Sequence, residues 1–331
     1  MNSFFSNRRN ILINTQKTLI VEDVVCPHGC KKNDEMVLAG RDLIHSLPGK
    51  FTLVKCHNCG LMRTNPRPTP ESMGGYYPDD YGPYLGTRVH QTKPKLFSTI
   101  KNLLRPLVNR VFNFNTQHLP SMVPGRLLEV GCASGAFLHQ MAKQGWQVQG
   151  IEFSEKAAEA AAQLGYPVYA GSLEAAPISA EPFDLIVGWM VLEHLHAPIA
   201  GLKKLRECAK PGAWLVLSIP NAGSLEFRLF KDKWYALHLP NHLYHFTPET
   251  ISRLLDASGW ELVKIHHQRV LTNLLVSVGY VLQDKGYVWL GRKLTKLPKY
   301  TNYVLYPIAW LLSLCGETGR MTIWVKKKGN D

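Results

Sequence analysis

Between residues 126 and 220, short apolar runs alternate with stretches of helical periodicity. Arg126–Val130, Gln147–Ile151, Pro167–Tyr169, Phe183–Gly188 and Ala213–Ile219 are short and rich in branched and aromatic side chains, and they read as buried strands. Helices are expected between them near 135–144, 155–163 and 197–209. Alternation of this kind implies a parallel sheet with helices on both faces. Thr247-Pro-Glu-Thr250 opens a further helix, with Thr247 as N-cap and Pro248 at the first helical position. Strands are expected again at Trp260–His266 and Arg320–Val325.

Three stretches depart from the alternation. Residues 65–86, NPRPTPESMGGYYPDDYGPYLG, hold too much proline and glycine for one continuous helix or strand. Lys95–Phe114 has helical periodicity, with Leu96, Ile100, Leu103, Leu104, Leu107 and Val111 on one face. Lys101, Arg105 and Arg110 lie away from its centre, and Pro106 predicts a kink. Residues 270–316 carry LTNLLVSVGYVL, GRKLTKLPKY and VLYPIAWLLSLC. The last run, 304–315, is too short to span a bilayer. Its flanking cations suit insertion at a membrane interface, and the alternative is a helical pair packed on the sheet. The chain thus divides into a cysteine-bracketed module (20–64), a linker with an amphipathic basic helix (65–118), an α/β domain (119–269 plus 317–328) and an apolar, basic insert (270–316).

Of 331 residues 45% are hydrophobic, which allows a large core and excludes wholesale disorder. A net charge of +13 implies a negatively charged partner: nucleic acid, anionic headgroups or a phosphorylated substrate. The basic N-terminus has no long apolar run behind it, and seven cysteines are an odd number. Both facts argue against a secretory signal and a disulfide framework. A cytoplasmic location is expected, with peripheral contact to the inner face of an anionic membrane. Nucleic acid fits less well, because the cations of 93–110 and 292–299 are interleaved with Leu, Phe and Val. Oligomeric state is not legible.

The candidate chemistry centres on the run RLLEVGCASG, Arg126 to Gly135. Dinucleotide sites present backbone N–H groups to a pyrophosphate and carry GxGxxG. Here Gly131 and Gly135 follow Glu129, whose charge would repel a pyrophosphate. It would attract a cofactor with an amino group and a cationic sulfur, such as S-adenosylmethionine (SAM). Gly131, Cys132, Ala133, Ser134 and Gly135 are expected to line that site. Glu152, at the end of the second strand, suits both ribose hydroxyls. Phe153 is expected near the adenine, Ser172 and Leu173 at its edge, and Trp189 and Met190 at the end of the fourth strand. LLEVGCASG, GIEFS, GSLE, FDLIVGWMVLEHL and KPGAWLVLSIPN, in this order, resemble the class I SAM-dependent methyltransferases over about 126–266 plus the last strand. The resemblance implies an α/β fold with a seven-stranded Rossmann-like sheet, one strand antiparallel. Ala133 stands where many members carry glycine, and its methyl is expected to be tolerated.

Cys26-Pro-His-Gly-Cys30 and Cys56-His-Asn-Cys59 supply two knuckles for a closed, structural zinc site. Three residues separate the first pair, so His28 is an alternative donor. With GLMRTNPRPTPESMGGYY, this zinc-ribbon-like module resembles the N-terminal part of a branch that includes sugar C-methyltransferases and polysaccharide-cluster methyltransferases. Those sugar enzymes carry a Glu-His pair ahead of a phenylalanine past the fifth strand, and a histidine past the fourth. By position these match His242, with Phe246, and His194, while Asn241 replaces the glutamate. The resemblance therefore implies His242 and/or His194 as general base, and Asn241 favours a hydroxyl over a carbon acceptor. Tyr76, Tyr77, Tyr81, Glu193 and His245 are candidate acceptor contacts. A second metal at the histidines is disfavoured because no cluster of acids lies near them in the sequence. The expected activity is methyl transfer to a sugar, nucleotide-sugar or lipid-linked glycan intermediate. A quinone precursor, RNA, and a non-catalytic SAM-fold subunit are the alternatives.

Overall fold

The structure is a computed structural model that describes residues 20–77, 112–296 and 301–329. The N-terminal part contains β1 (Val21–Glu22), β2 (Asp34–Gly40), β3 (Phe51–Cys56), β4 (Met62–Thr64), β5 (Arg67–Pro68) and α1 (Pro70–Met73). The α/β domain follows with β6 (Arg126–Val130), α2 (Ala136–Ala142), β7 (Gln147–Glu152), α3 (Glu155–Ala162) and β8 (Val168–Ala170). Next come β9 (Phe183–Trp189), α4 (Pro198–Glu207), β10 (Ala209–Pro220), α5 (Leu225–Phe230), β11 (Tyr244–His245), α6 (Pro248–Ala257) and β12 (Trp260–His267). Helices α7 (Thr272–Asp284), α8 (Val288–Thr295) and α9 (Thr301–Leu314) precede β13 (Arg320–Lys327).

Seven strands pair in the order β12-β13-β10-β9-β6-β7-β8. Only β13 runs against its neighbours in this sheet. The expected fold is therefore present, with its single antiparallel strand. Alternate residues of each central strand feed two apolar layers. Leu127, Leu185, Val187 and Val216 pack with Phe137, Leu138 and Met141 of α2. Leu128, Ile186, Leu215 and Leu217 pack with Leu202 and Leu205 of α4 and Ile251, Leu254 and Leu255 of α6. Burial on both faces is why these strands read as continuous apolar runs. Helix α6 starts as expected: Thr247 Oγ1 accepts from the Thr250 N–H, and Thr250 Oγ1 accepts from the Thr247 N–H at 2.9 Å. Such a cap stabilises by about 1 kcal/mol.

Some boundaries differ from expectation. Strand β10 begins at Ala209, because an irregularity between Ala209 and Trp214 absorbs Pro211-Gly212 without ending the ladder. Phe112–Phe114 are not helical; Phe112 and Phe114 set their rings edge-on to Tyr303 and Tyr306 of α9. The rest of the expected helix, 95–111, lies outside the described residues. The insert is helical. Helices α7 and α8 cross so tightly that a Cβ on Gly279 would sit 2.8 Å from the Gly291 carbonyl oxygen. No described helix is long and apolar enough to cross a membrane.

Candidate active site

The carboxyl ends of β6, β7 and β9 meet at one sheet edge. The chain leaves β6 toward β7 and β8 on one side and returns to β9 on the other. Open α/β sheets bind ligands at such a switch point. Glu129 is 3% exposed there, and its Oε2 has no hydrogen-bond partner. Burial and the nearby Glu152 carboxylate push the Glu129 carboxyl well above the usual range. The Trp189 indole N–H is close enough to temper this shift but makes no hydrogen bond. An unpaired buried carboxylate oxygen is costly unless a cationic donor reaches it, so a ligand amino group fits this position. Glu152 Oε2 accepts from the Ala133 N–H and Oε1 from the Ser154 N–H, each at 2.8 Å. Burial raises its pKa, and these backbone donors hold it down. Each carboxylate oxygen keeps a second lone pair, which suits the two ribose hydroxyls.

The turn at 131–135 is left-handed at three positions: Gly131 (φ +70°), Ala133 (φ +46°) and Gly135 (φ +80°). At Ala133 the methyl is accommodated, but the left-handed backbone costs about 1 kcal/mol relative to glycine. A Cβ on Gly131 would meet Val191 Cγ2 at 2.6 Å, and one on Gly135 would meet Ala161 Cβ at 2.9 Å. Gly135→Ala is therefore expected to cost about 3 kcal/mol through strain and overpacking together. An unchanged thermal midpoint would refute that.

The remaining expected contacts are placed as follows. Phe153 is 57% exposed just past β7, open to a stacking partner. Ser134 is buried in the turn. Cys132 is buried, and its Sγ fills the space that Gly150 leaves open. Leu173 packs in the core, and the Ser172 hydroxyl caps the next turn by accepting the Ala175 N–H at 3.2 Å. Trp189 stands edge-on to Phe137, while the Met190 N–H donates to the Ser218 carbonyl. The site fits SAM, which supplies an electrophilic methyl group when bound. Glu129, Glu152 and the 131–135 turn would hold it.

Beyond β9 a single 3-10 turn, Leu192–His194, presents Glu193 and His194. The loop from 235 to 243 brings His238 and His242 against them. The His194 and His242 ring centroids are 4.7 Å apart, and those of His238 and His242 4.8 Å. His242 Nδ1 donates to the Ala236 carbonyl at 2.8 Å, which leaves the Nε2 lone pair 3.9 Å from Glu193 Oε1. The Tyr77 hydroxyl is 2.8 Å from His194 Nδ1. Burial holds His194 down to about 4 and His238 and His245 to about 3, and it drives His242 well below its ordinary value. All four imidazoles are neutral at neutral pH and can accept a proton. Glu193 is fully buried, its two oxygens have no hydrogen-bond partner, and burial pushes it up to about 8.

Asn241 donates to the Tyr76 carbonyl at 2.8 Å and is structural. The carboxyl group beside His242 is that of Glu193, from another loop. Glu193, His194 and His242 offer ligand atoms within 4.8 Å of one another, so an acid does accompany these histidines in space. Tyr76 is buried, with its hydroxyl donating to the Pro48 carbonyl at 2.7 Å and its ring edge-on to Phe51, so it packs in the core. Tyr81 lies outside the described residues. His245 is buried on β11, opposite Met62. The Tyr77–His194 contact was hidden from sequence reasoning, because no spacing relates residues so far apart.

The Sγ atoms of Cys26, Cys30, Cys56 and Cys59 lie within 4.8 Å of one another, with Cys26 and Cys59 at 3.4 Å. Tetrahedral zinc with bonds of about 2.3 Å sets its sulfurs about 3.8 Å apart, so the four thiols fit such an ion. His28 is not part of the cluster. The Gly29 N–H donates to the Cys26 carbonyl and the Gly60 N–H to the Cys56 carbonyl, closing both knuckles. Burial raises the Cys26 thiol; at Cys56 burial is outweighed by the N–H groups of Cys59 and Asn58. The module also grips the histidine loop. Strand β11 joins β4 as the edge of the sheet β11-β4-β3-β2. Thr64 Oγ1 donates to the His242 carbonyl at 2.8 Å, and the Thr64 N–H to that of Leu243 at 2.9 Å.

Comparison with known proteins agrees with this geometry. Residues 94–265 match the family described as methyltransferase domain. The Nitrosospira multiformis protein named ubiquinone biosynthesis O-methyltransferase is 27% identical over 152 residues, 42% of this chain and 64% of that protein. The protein of the same name from Azoarcus sp. is 28% identical over 154 residues, 42% of this chain and 66% of that protein. The chain thus spans less than two thirds of the length of these relatives. A crystal structure of an S-adenosylmethionine dependent methyltransferase from Mesorhizobium loti superposes with a TM-score of 0.44 at 15% identity, covering 67% of this chain and 97% of that one. With more than half of its length matched and the glycine turn, both acids and the sheet order in place, this chain belongs to the methyltransferase domain family.

Proposed function

We propose that the chain is an O-methyltransferase that methylates a hydroxyl of a sugar or lipid-linked glycan intermediate at the His194–His242 cluster. Its strongest support is the Tyr77 hydroxyl 2.8 Å from His194 Nδ1, one turn beyond β9 and beside the donor site. One neutral imidazole takes up the single proton of the acceptor hydroxyl, either His242 at its Nε2 or His194 through the Tyr77 hydroxyl that faces its Nδ1. Glu193 lies beside His242 with its carboxyl pushed up to about 8 by burial, so it is mostly protonated at neutral pH and offers a negative charge to an imidazolium only as pH rises through that range. Zinc at the four cysteines is structural and holds the loop that carries His242.

A quinone precursor is the second reading, supported by the names of the curated relatives. Labelled methyl transfer to a lipid extract, followed by hydrolysis of the product, separates the two by whether the label stays on a sugar. His194→Ala is expected to lower kcat by about 100-fold or more with SAM affinity kept. Normal turnover of that variant would sink the assignment.

A further inference from the structure

Helices α8 and α9 expose an apolar surface that the catalytic domain leaves uncovered among the described residues. At the tip of the α7–α8 hairpin, Tyr287, Val288, Trp289 and Leu290 are 63%, 42%, 73% and 42% exposed. Helix α9 has no charged residue along its length. Its inner side carries Tyr306 and Ala309, both buried, and Arg269 donates to the Tyr306 hydroxyl. Its outer side carries Val304, Ile308, Leu311 and Leu314, spaced four, three and three residues apart and each more than half exposed. Trp310 and Tyr303 flank that stripe.

The charges beside this surface have one sign. From Lys285 to Gly316 the sequence holds Lys285, Arg292, Lys293, Lys296 and Lys299, and no aspartate or glutamate. Lys293 Nζ lies 5.1 Å from the centre of the Trp289 ring. The acids just outside this stretch are already engaged, Asp284 with Lys233 and Glu317 with Arg228. Large aliphatic side chains between aromatic rings and cations match a bilayer interface, where chains reach the acyl boundary and cations stay at the headgroups. A nucleic acid would meet the cations but leave Val304, Ile308 and Leu311 with nothing apolar to contact.

We infer that the α7–α9 insert docks the enzyme on an anionic lipid bilayer, with the 287–290 tip and the outer face of α9 entering the interface. The inference rests on this surface alone and does not depend on whether the methylated hydroxyl belongs to a sugar or a quinone precursor. It implies an acceptor carried on a membrane-resident tail, brought to the donor site without leaving the lipid.

Flotation of the full chain with vesicles containing phosphatidylglycerol, or with neutral phosphatidylcholine vesicles, tests it. Partition is expected to be at least about tenfold stronger on the anionic vesicles and to fall as salt is raised. The double variant Trp289→Ser, Leu311→Ser should lose at least about tenfold of that partition. Its thermal midpoint and SAM affinity should be unchanged, because both side chains are exposed. Three results would overturn the proposal: no flotation of the wild type, equal flotation of the variant, or a dimer in sedimentation that the same substitutions dissociate. Binding to polyuridylate with the same dependence on Trp289 would reassign the surface to nucleic acid. A single Lys293→Glu change should weaken anionic partition alone; a matching loss on neutral vesicles would also count against the proposal.

Discussion

Glu152→Ala is expected to weaken SAM binding by about 1000-fold, beyond calorimetric detection. Two effects combine. The ribose hydroxyls lose a carboxylate acceptor, and hydrogen bonds to a charged group contribute about 1.5–3 kcal/mol each. The Ala133 and Ser154 N–H groups, now held at 2.8 Å, also lose their acceptor in a buried site. Ala133 already sits at φ +46°, so the turn has little reason to keep its shape without that bond. Glu152→Gln keeps one acceptor oxygen and should fall between the two. Since about 1.4 kcal/mol is a factor of ten, the loss is easily resolved by titration calorimetry. An alanine variant with wild-type affinity would show that the ribose is held elsewhere.

Removing zinc from the four-cysteine site is expected to abolish turnover while leaving SAM affinity within about threefold. A structural zinc site contributes on the order of 10 kcal/mol to the fold of a small module. Few large apolar side chains around it, chiefly Phe51, Leu53, Leu61 and Met62, are buried. Strand β4 would lose its order and with it the edge on which β11 pairs. Thr64 would release the His242 and Leu243 carbonyls, so the histidine loop would leave Glu193 and His194. The candidate donor site draws on β6, β7 and β9, which have no strand in common with the module's sheet. Cys56→Ser, with zinc release followed by a colorimetric chelator, gives the measurement. Full turnover in a zinc-free protein would refute the coupling, and loss of SAM binding would mean that the two sheets unfold together.

Much of the donor half was legible in the sequence because its determinants are local. Arg126–Val130 is apolar because both faces of β6 are covered, and Gly131 and Gly135 mark backbone that a Cβ would block. Glu129 and Glu152 each end a strand, so a linear reading placed them at the same sheet edge. The four cysteines were recognisable for the same reason, two short knuckles of fixed chemistry. What the linear order determined, then, was the sheet, the methyl donor and the thiol cluster. Tertiary structure decided the rest. It sent Tyr76 into the core and Tyr77 to His194, and it gave Asn241 a structural bond. It supplied from Glu193 the carboxyl group that the neighbouring sequence of His242 lacks, and it tied that loop to the cysteine module through β11. It also turned one side of α9 inward and left the other bare. These are contacts between segments far apart in the chain, fixed by packing of the whole, and no periodicity or spacing encodes them.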